Sequence, residues 1–300
     1  MKKGVRDNIN AYIFILPFAF IFIVFLFLPF IYSIYLSFNQ VTDFSDVFGG
    51  LSFVGLKNYL FLFRDKEFWW ALVVTLYYAL IIIPLNIVVS LLLAILLRKR
   101  YRLNSMYRTF FFLPFVLDAF VVGIVWTFIY AGRYGLLVNI LKPLIGSIYE
   151  TGFLGNAKTV MPSVALAMTL KGAGFGMILY IAALDGIPKE VYEAAELDGA
   201  TGLKKLWYIT LPLIQPVTTF MVIIGIIGAL SAFAEFYAMT GGGPIVYKWG
   251  APLGMTKVTG LYLFNHFSNL RLGLAAATSF VLLVLALGLS ITYSKIQRKR

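Results

Sequence analysis

The chain has 300 residues and a formal net charge of +12; 61% of its residues are hydrophobic, 17% aromatic and only 13% charged. Soluble domains average about 45–50% apolar and about 25% charged residues, so this composition excludes an ordinary soluble globule and indicates an integral membrane protein. The basic residues lie in short clusters beside apolar runs, which is typical of orientation signals and argues against nucleic-acid binding. The chain has no Cys, which excludes disulfides, thiol catalysis and thiolate metal sites.

Six apolar runs are long enough to cross a lipid bilayer, because a spanning helix needs about 20 predominantly apolar residues. The sequence therefore predicts an all-α membrane protein with six transmembrane helices, at residues 12–38, 69–97, 107–130, 162–184, 216–240 and 272–293. We expect residues 1–300 to form a single transmembrane domain. The first run follows Lys2, Lys3 and Arg6 but is far longer than the ~7–15-residue core of a secretion signal, which predicts an uncleaved first span.

The distribution of Lys and Arg between alternate loops predicts the orientation. If the N-terminus lies inside, the densest basic cluster, at residues 98–102, and the basic C-terminal tail lie on the same side. Segments on that side then carry more Lys and Arg than the opposite segments. The positive-inside rule therefore places both termini and the loop at residues 185–215 in the cytoplasm.

This loop between the fourth and fifth runs is a polar island, and we call residues 185–215 the lever. Pro188 is suited to a helix start, and the following residues predict a helix over 189–197. Gly199 is placed to end that helix, because Gly adopts the left-handed conformation without steric cost. A second short helix is predicted over 201–209, so the lever reads as two helices, parallel to the membrane and joined to a span at each end.

The lever also carries a motif. Three pieces of sequence fall at fixed offsets over twenty residues: Glu193-Ala194-Ala195, Gly199 and Ile209-Thr210-Leu211-Pro212. This pattern resembles the cytoplasmic loop of binding-protein-dependent ABC importer permeases, and the resemblance implies the type I ABC importer permease fold. In that family the loop docks into a cleft on the ATPase subunit. The resemblance assigns ATPase coupling to Glu193, Ala194, Ala195 and Gly199, with Asp198 and Lys204 at the contact rim.

Two further runs resemble sequences of the sugar-type branch of this family, which includes maltose and glycerol-phosphate permeases. They are Gly55-Leu56-Lys57-Asn58-Tyr59 and Thr240-Gly241-Gly242-Gly243-Pro244. The resemblance implies a multi-pass inner-membrane permease that works with cytoplasmic ATPase subunits, a second homologous permease and an extracytoplasmic solute-binding protein. It implies import of a sugar or oligosaccharide, and leaves the particular cargo open. We expect no enzymatic activity and no cofactor in this chain, because its sequence has no Gly-rich phosphate loop. The resemblance implies that ATP and Mg are bound by the partner ATPase subunit.

Inserting an ionisable residue into a membrane-spanning helix costs about 2.5–3.5 kcal/mol. Each such residue is therefore a candidate for a functional site. The runs contain Asp118, Lys171 and Glu235. Small residues at 172–176 follow Lys171 and predict close helix approach and a local opening of the helix. We predict that the cargo path is lined by Lys171, Phe175, Ser231, Glu235 and Tyr237. The alternative for Lys171 and Glu235 is a structural ion pair.

A second function is compatible with these residues, namely an ion-gradient-driven secondary transporter that uses Asp118 and Glu235. Such a transporter would have no need of a docking lever. A membrane enzyme lacks a catalytic constellation, because the lone His266 is predicted in an outer loop without a partner at metal-ligand spacing, and no metal site is predicted. The outer loop at residues 39–68 predicts either a short amphipathic helix or an aromatic interfacial belt.

Overall fold

The structure of the protein, a computed structural model, describes residues 2–41, 49–98, 103–145 and 148–298. Residues 99–102 and 299–300, which contribute to the basic clusters used for the orientation, lie outside the described residues. Helices make up most of the described chain, which confirms the all-α class. The chain separates into two compact units: residues 1–65 with 263–283, and residues 66–262 with 284–300.

The smaller unit begins with a long apolar helix that a wide π-helical turn divides into two parts, followed by a strand pair and a short helix. These elements are α1 (Lys2–Phe22), the π turn (Ile23–Phe27), α2 (Leu28–Ser37), β1 (Asn39–Gln40), β2 (Ser52–Phe53) and α3 (Lys57–Arg64). The two strands pair antiparallel, with Asn39 opposite Phe53. Of the two expectations for residues 39–68, the short helix is the one that the structure contains.

The Asn58-Tyr59 pair of the first outer motif ties α3 to the end of α2. Asn58 Nδ2 donates to the backbone carbonyl oxygens of Ser37, at 2.9 Å, and Asn39, at 3.0 Å. The hydroxyls of Tyr59 and Ser37 hydrogen-bond at 2.8 Å. Carbonyl groups at and after a helix end lack intrahelical partners, so these bonds satisfy acceptors that α2 leaves open. The motif therefore has a structural role within this unit.

The larger unit contains the helices between the first and last spans. They are α4 (Lys66–Arg98), α5 (Asn104–Val116), α6 (Ala119–Tyr130), α7 (Leu136–Ile140), α8 (Lys142–Ile145), α9 (Ile148–Thr151), α10 (Val160–Asp185), α11 (Lys189–Leu197), α12 (Gly202–Lys205), α13 (Leu211–Leu213), α14 (Gln215–Leu230) and α15 (Ala234–Met239). A second π turn, Leu206–Thr210, joins α12 to α13. The hairpin strands β3 (Ile245–Lys248) and β4 (Ala251–Gly254) precede α16 (Thr259–Ser268) and α17 (Leu272–Arg298), and each of these two helices continues from one unit into the other.

Four continuous helical stretches are long and apolar enough to cross a membrane. They cover Tyr12–Ser37, Lys66–Arg98, Val160–Asp185 and Leu272–Gln297. Two further pairs qualify only together, because a bend interrupts each: Asn104–Val116 with Ala119–Tyr130, at 102°, and Gly202–Leu213 with Gln215–Leu230, at 67°. If each bent pair is one crossing, the described chain crosses the membrane six times, as the six apolar runs predict.

The bend in the third run has a local cause. Leu117 and Asp118 take extended backbone conformations, with ψ near 145° and 143°, and end the helix begun by α5. Asp118 Oδ1 then accepts the backbone N–H of Phe120 at 2.8 Å, so it is the N-cap of α6. The prediction treated residues 107–130 as one uninterrupted run, and missed this cap. The fifth run, predicted over 216–240, likewise divides, since α14 ends at Leu230 and α15 begins at Ala234.

Close packing along α10 depends on its small residues. A Cβ atom added to Gly172 would lie 2.6 Å from Asn86 Nδ2 of α4. One added to Gly174 would collide with the backbone of α5 at Phe111, and one added to Gly176 would collide with the Ser90 side chain of α4. The predicted close approach is therefore confirmed. The predicted local opening is wrong, because α10 continues through this segment without interruption.

Two elements near the end of the larger unit were not predicted. The first is the β3–β4 hairpin, whose two-residue turn places both Trp249 and Gly250 at positive φ. The second is α16, so the prediction of an outer loop at His266 is wrong: His266 lies in this helix and is only 9% exposed. The helix forms because Leu261 is buried in the core and Tyr262 is buried beside the Phe68 ring, which outweighs the weak local signal.

Candidate functional site

A cleft of about 250 Å³ lies between α4, α10 and α14. Its lining is mainly aliphatic and aromatic, with side chains from the end of α5 and the start of α15 completing the wall. Its polar groups are few and come from four residues: Tyr78, Asn86, Lys171 and Glu235. An apolar cavity with a small number of placed polar groups is the usual form of a small-molecule site.

Glu235 provides the carboxylate of the cleft. It lies in the first turn of α15, and its Oε1 accepts a hydrogen bond from the Tyr78 hydroxyl of α4 at 3.4 Å. The Tyr78 side chain is 2% exposed and packs edge-on against Phe236, with ring centroids 4.8 Å apart. Tyr78 is therefore held rigidly, and it restricts where the carboxylate can point.

Lys171 provides the cation, beside two stacked rings. Its Nζ donates to the backbone carbonyl oxygen of Phe115 at 3.3 Å and lies 5.4 Å from the centroid of that ring. The Phe115 ring stacks on Phe175 of α10, with centroids 4.7 Å apart. Phe115 reaches the cleft because α5 ends one residue later, at Val116, where the 102° bend begins. The bend thus supplies both a carbonyl group and a ring to the site.

Three of the five residues predicted for the cargo path line this cleft together, namely Lys171, Phe175 and Glu235. Ser231 and Tyr237 are not among the lining residues. Ser231 follows the last residue of α14 and is exposed. Tyr237 is 49% exposed and its ring contacts Phe120 and Phe233 instead.

Lys171 and Glu235 do not form the ion pair considered as an alternative. Lys171 donates to the Phe115 carbonyl and Glu235 accepts from the Tyr78 hydroxyl, and no salt bridge within the described part of the chain joins the two residues. Sequence reasoning missed Tyr78, Asn86 and Phe115 as lining residues. A signal for Asn86 was present, since an amide in the middle of an apolar run is unusual. Tyr78 and Phe115 had none, because aromatic residues are common throughout this chain.

Asp118, the third ionisable residue of the apolar runs, lies outside this set. It is exposed, it does not line the cleft, and its carboxylate caps α6. A capping role accounts for an acidic residue at this position without any ion coupling. Among the residues that the structure describes, no group of three or more His, Asp or Glu side chains could hold a metal ion.

The lever forms as its local signals predict. Helix α11 covers Lys189–Leu197, which confirms the predicted bounds, and Gly199 follows it at φ +76°. The backbone N–H of Gly199 donates to Glu196 O at 3.0 Å and that of Ala200 to Ala195 O at 2.8 Å, which closes the helix end. The second helix is shorter than predicted: α12 ends at Lys205 and continues as the π turn.

The residues assigned to ATPase coupling fall into two groups by burial. Ala195 is 5% exposed and packs inward. The others face outward, and these are Glu193, Ala194, Asp198, Gly199 and Lys204. Leu197 and Leu203, at 90% and 73% exposed, add apolar surface to the same part of the lever. A structured, outward-facing element with exposed leucines is typical of a docking surface.

A bundle of apolar helices around a largely apolar cleft, together with a structured polar lever, is typical of a membrane transport protein. Residues 86–300 match the family described as the binding-protein-dependent transport system inner membrane component, and the chain belongs to this family. It is therefore a multi-pass permease of the inner membrane. Family membership favours this function over the ion-gradient-driven alternative.

Similar proteins cover nearly the whole chain. The probable ABC transporter permease protein YurN of Bacillus subtilis is 33% identical, over 97% of this chain and 96% of its own. The trehalose/maltose transport system permease protein MalF of Thermococcus litoralis is 30% identical, over 100% of this chain and 97% of its own. The crystal structure of a bacterial alginate ABC transporter in complex with an alginate pentasaccharide-bound periplasmic protein contains a chain with the same fold. Its TM-score is 0.78 at 23% identity, over 100% of this chain and 97% of that chain.

Proposed function

We propose that this chain is the permease subunit of an ATP-driven importer and that its cargo is a sugar or oligosaccharide. The observation that carries the proposal is the arrangement of the cleft, where Glu235, Lys171 and the stacked Phe115 and Phe175 rings line one cavity. Sugar hydroxyls bond to charged and amide groups, and the C–H face of a sugar ring packs on aromatic rings. The name of the Thermococcus litoralis relative, a trehalose/maltose permease, supports the same class of cargo.

The proposed cargo path consists of two parts. Lys171, Phe175 and Glu235 belong to the cleft, together with Tyr78 and Asn86. Ser231 and Tyr237 are assigned to the path beyond the cleft, since both belong to the segment that carries Glu235. Cargo leaving the cleft along residues 231–237 would meet both of them.

The partners follow from the lever and the family. We assign docking of a cytoplasmic ATPase subunit to Glu193, Ala194, Ala195, Asp198, Gly199 and Lys204. ATP and Mg would be held by that subunit, so this chain needs no cofactor of its own. An extracytoplasmic solute-binding protein would deliver the cargo, as the alginate transporter complex supports, and a second homologous permease would complete the pathway. Both termini and the lever then lie in the cytoplasm, with residues 1–300 acting as one transmembrane domain.

Uptake by the assembled complex in proteoliposomes tests this function. The vesicles would contain Mg-ATP, and the binding protein would be offered a panel of labelled monosaccharides, disaccharides and oligosaccharides. We expect ATP-dependent uptake that survives collapse of the ion gradients. Uptake that stops when the gradients collapse, or that never requires ATP, would overturn the proposal.

Two substitutions test the cleft itself. Glu235→Gln and Phe175→Ala should each lower the apparent affinity or the rate of uptake, because one removes the carboxylate and the other removes the stacked ring. The matched controls are Glu150→Gln and Phe128→Ala, which change exposed residues outside the cleft. Wild-type affinity and rate in both cleft variants would remove the cargo path from this cavity.

A further inference from the structure

The end of α4 meets the lever through side chains that the proposed cargo path does not use. Arg98, the last residue of α4, donates from Nε to Oδ1 of Asp185, the last residue of α10, at 2.9 Å. The guanidinium carbon of Arg98 also lies 5.7 Å from the centroid of the Tyr192 ring on α11. One side chain at the end of α4 therefore contacts both the end of α10 and the first helix of the lever.

Lys205, on the second helix of the lever, places a second cation beside the Tyr192 ring. Lys205 of α12 places its Nζ 5.6 Å from the centroid of Tyr192 and forms a salt bridge with Glu196 of α11. Two cations within about 6 Å of one ring are each attracted to its electron-rich face. Tyr192 is therefore the point where α4, α11 and α12 are connected by side chains.

The connection to α4 is the one that the backbone does not provide. Asp185 is followed within four residues by the start of α11, so α10 and the lever are joined covalently. Arg98 is distant from the lever in sequence, and its contacts border an open cleft of about 600 Å³ that Tyr192 and Lys205 also line. Ala94 and Leu97 at the end of α4 also pack in one hydrophobic cluster with Ile187 and Ile214 of the lever. The Arg98 and Tyr192 contacts add a polar and aromatic link beside that cluster, at the edge of the open cleft.

We propose that Arg98 and Tyr192 are positioning residues that carry movement of the lever into α4. This inference rests on the proposed function, because it requires an ATPase that moves the lever. Asn86 lies about 18 Å along α4 from Arg98, at 1.5 Å per residue of a helix. The part of α4 between Asn86 and Arg98 is helical and contains no Pro, since Pro84 lies beyond Asn86, so a shift at Arg98 is transmitted to the cleft wall at Asn86.

Distance measurements between spin labels test this link directly, and the chain suits them because it has no Cys of its own. One label pair is placed at the exposed positions Leu96 on α4 and Glu190 on α11 of the assembled complex. In the parent we expect this distance to stay narrow and unchanged when Mg-ATP is added, since lever and helix move together. In Arg98→Gln and Tyr192→Leu the distribution should broaden or shift with Mg-ATP.

The conservative and control variants separate this role from general damage. Tyr192→Phe keeps the ring and should behave like the parent, whereas Tyr192→Leu keeps the bulk but loses the aromatic face. Lys189→Gln removes an exposed charge from the same helix and should also behave like the parent. Parent-like distances in both Arg98→Gln and Tyr192→Leu would overturn the inference.

Coupling provides the second measurement. With the sugar that the parent complex takes up, the amount transported per ATP hydrolysed should fall about fivefold in Tyr192→Leu and Arg98→Gln, which corresponds to losing the contacts of this ring. Tyr192→Phe should keep the parent ratio, and an unchanged ratio in the other two variants would contradict the inference.

A label pair across the cleft, at Leu92 and Phe220, tests the proposed function separately. If Mg-ATP leaves that distance unchanged in the parent, ATP-driven movement itself is absent.

Discussion

Helix α10 and the lever both depend on glycine, but for different physical reasons. On α10, a Cβ atom at Gly174 would collide with the backbone of α5 at Phe111. In the lever, no atom lies within 4 Å of a Cβ placed on Gly199, yet this residue has φ +76°, a conformation that other residues adopt at a cost. Glycine on α10 permits close packing, whereas glycine in the lever permits a turn. Substitutions at the two sites should therefore fail in different ways.

The largest effect is expected from Gly174→Val. The collision involves backbone atoms, which cannot move aside as a flexible side chain can, so we expect a loss of at least about 3 kcal/mol in stability. Thermal unfolding in detergent and the yield of monodisperse protein measure this loss. Gly288→Ala is the matched control, because a Cβ there meets nothing within 4 Å. A stable Gly174→Val protein would show that α10 and α5 are not closely packed.

Gly176→Ala should have a smaller effect, because its added methyl group meets the side chains of Ser90 and Met221 rather than backbone. We expect a loss of about 1–3 kcal/mol, measured by the same unfolding experiment. Adding Ser90→Gly to this variant removes the two nearest atoms and leaves only the flexible end of Met221, at 2.8 Å, so it should restore much of the lost stability. If the double variant is no more stable than Gly176→Ala alone, the contact with Ser90 is not the cause.

Substitutions at Gly199 sharpen the comparison, because they should spare folding more than function. Placing a residue other than glycine in the left-handed conformation costs about 1–2 kcal/mol, and Asn tolerates it best. Gly199→Val should fold yet lose co-purification with the ATPase subunit, while Gly199→Asn should retain it. Equal co-purification of both variants would mean that the turn at Gly199 does not shape the docking surface.

The smallest effect is expected at Asp118, whose side-chain oxygen accepts a backbone N–H at the start of α6. Asp118→Asn keeps an N-cap oxygen and should leave stability and uptake unchanged, whereas Asp118→Ala should cost about 0.5–2 kcal/mol. Unfolding temperature and uptake of the sugar check both variants. Loss of uptake in a stable Asp118→Asn protein would instead support a carboxylate that couples transport to an ion.

The predictions that succeeded depend on local chemistry. The bounds of α11 follow from Pro188 at its start and Gly199 at its end, and both signals act within a few residues. The apolar runs follow from length and composition alone, which is why the continuous spans lie close to their predicted positions. Membership of the permease family rests on the same segment, since the motif at Glu193 lies within the matched residues 86–300.

The predictions that failed depend on contacts between distant residues. Lys171, Phe175 and Glu235 were named as cargo-path residues, but their partners Tyr78 and Phe115 were missed because three separate helices bring them together. His266 was assigned to a loop, although burial of its neighbours in the core makes the segment helical. Helix α10 stays continuous through its small residues for the same reason, since Asn86, Ser90 and α5 pack against it.

The sequence by itself determined the membrane class, the number of apolar runs, the lever and the family, because hydropathy, charge and helix-terminating residues act locally. Only the tertiary structure decided which residues share the cleft, where the third run bends, and that Arg98 reaches Asp185 and Tyr192. Those outcomes require helices far apart in sequence to pack at defined depths. Packing of this kind is set by steric fit along whole helices, which no short stretch of sequence specifies.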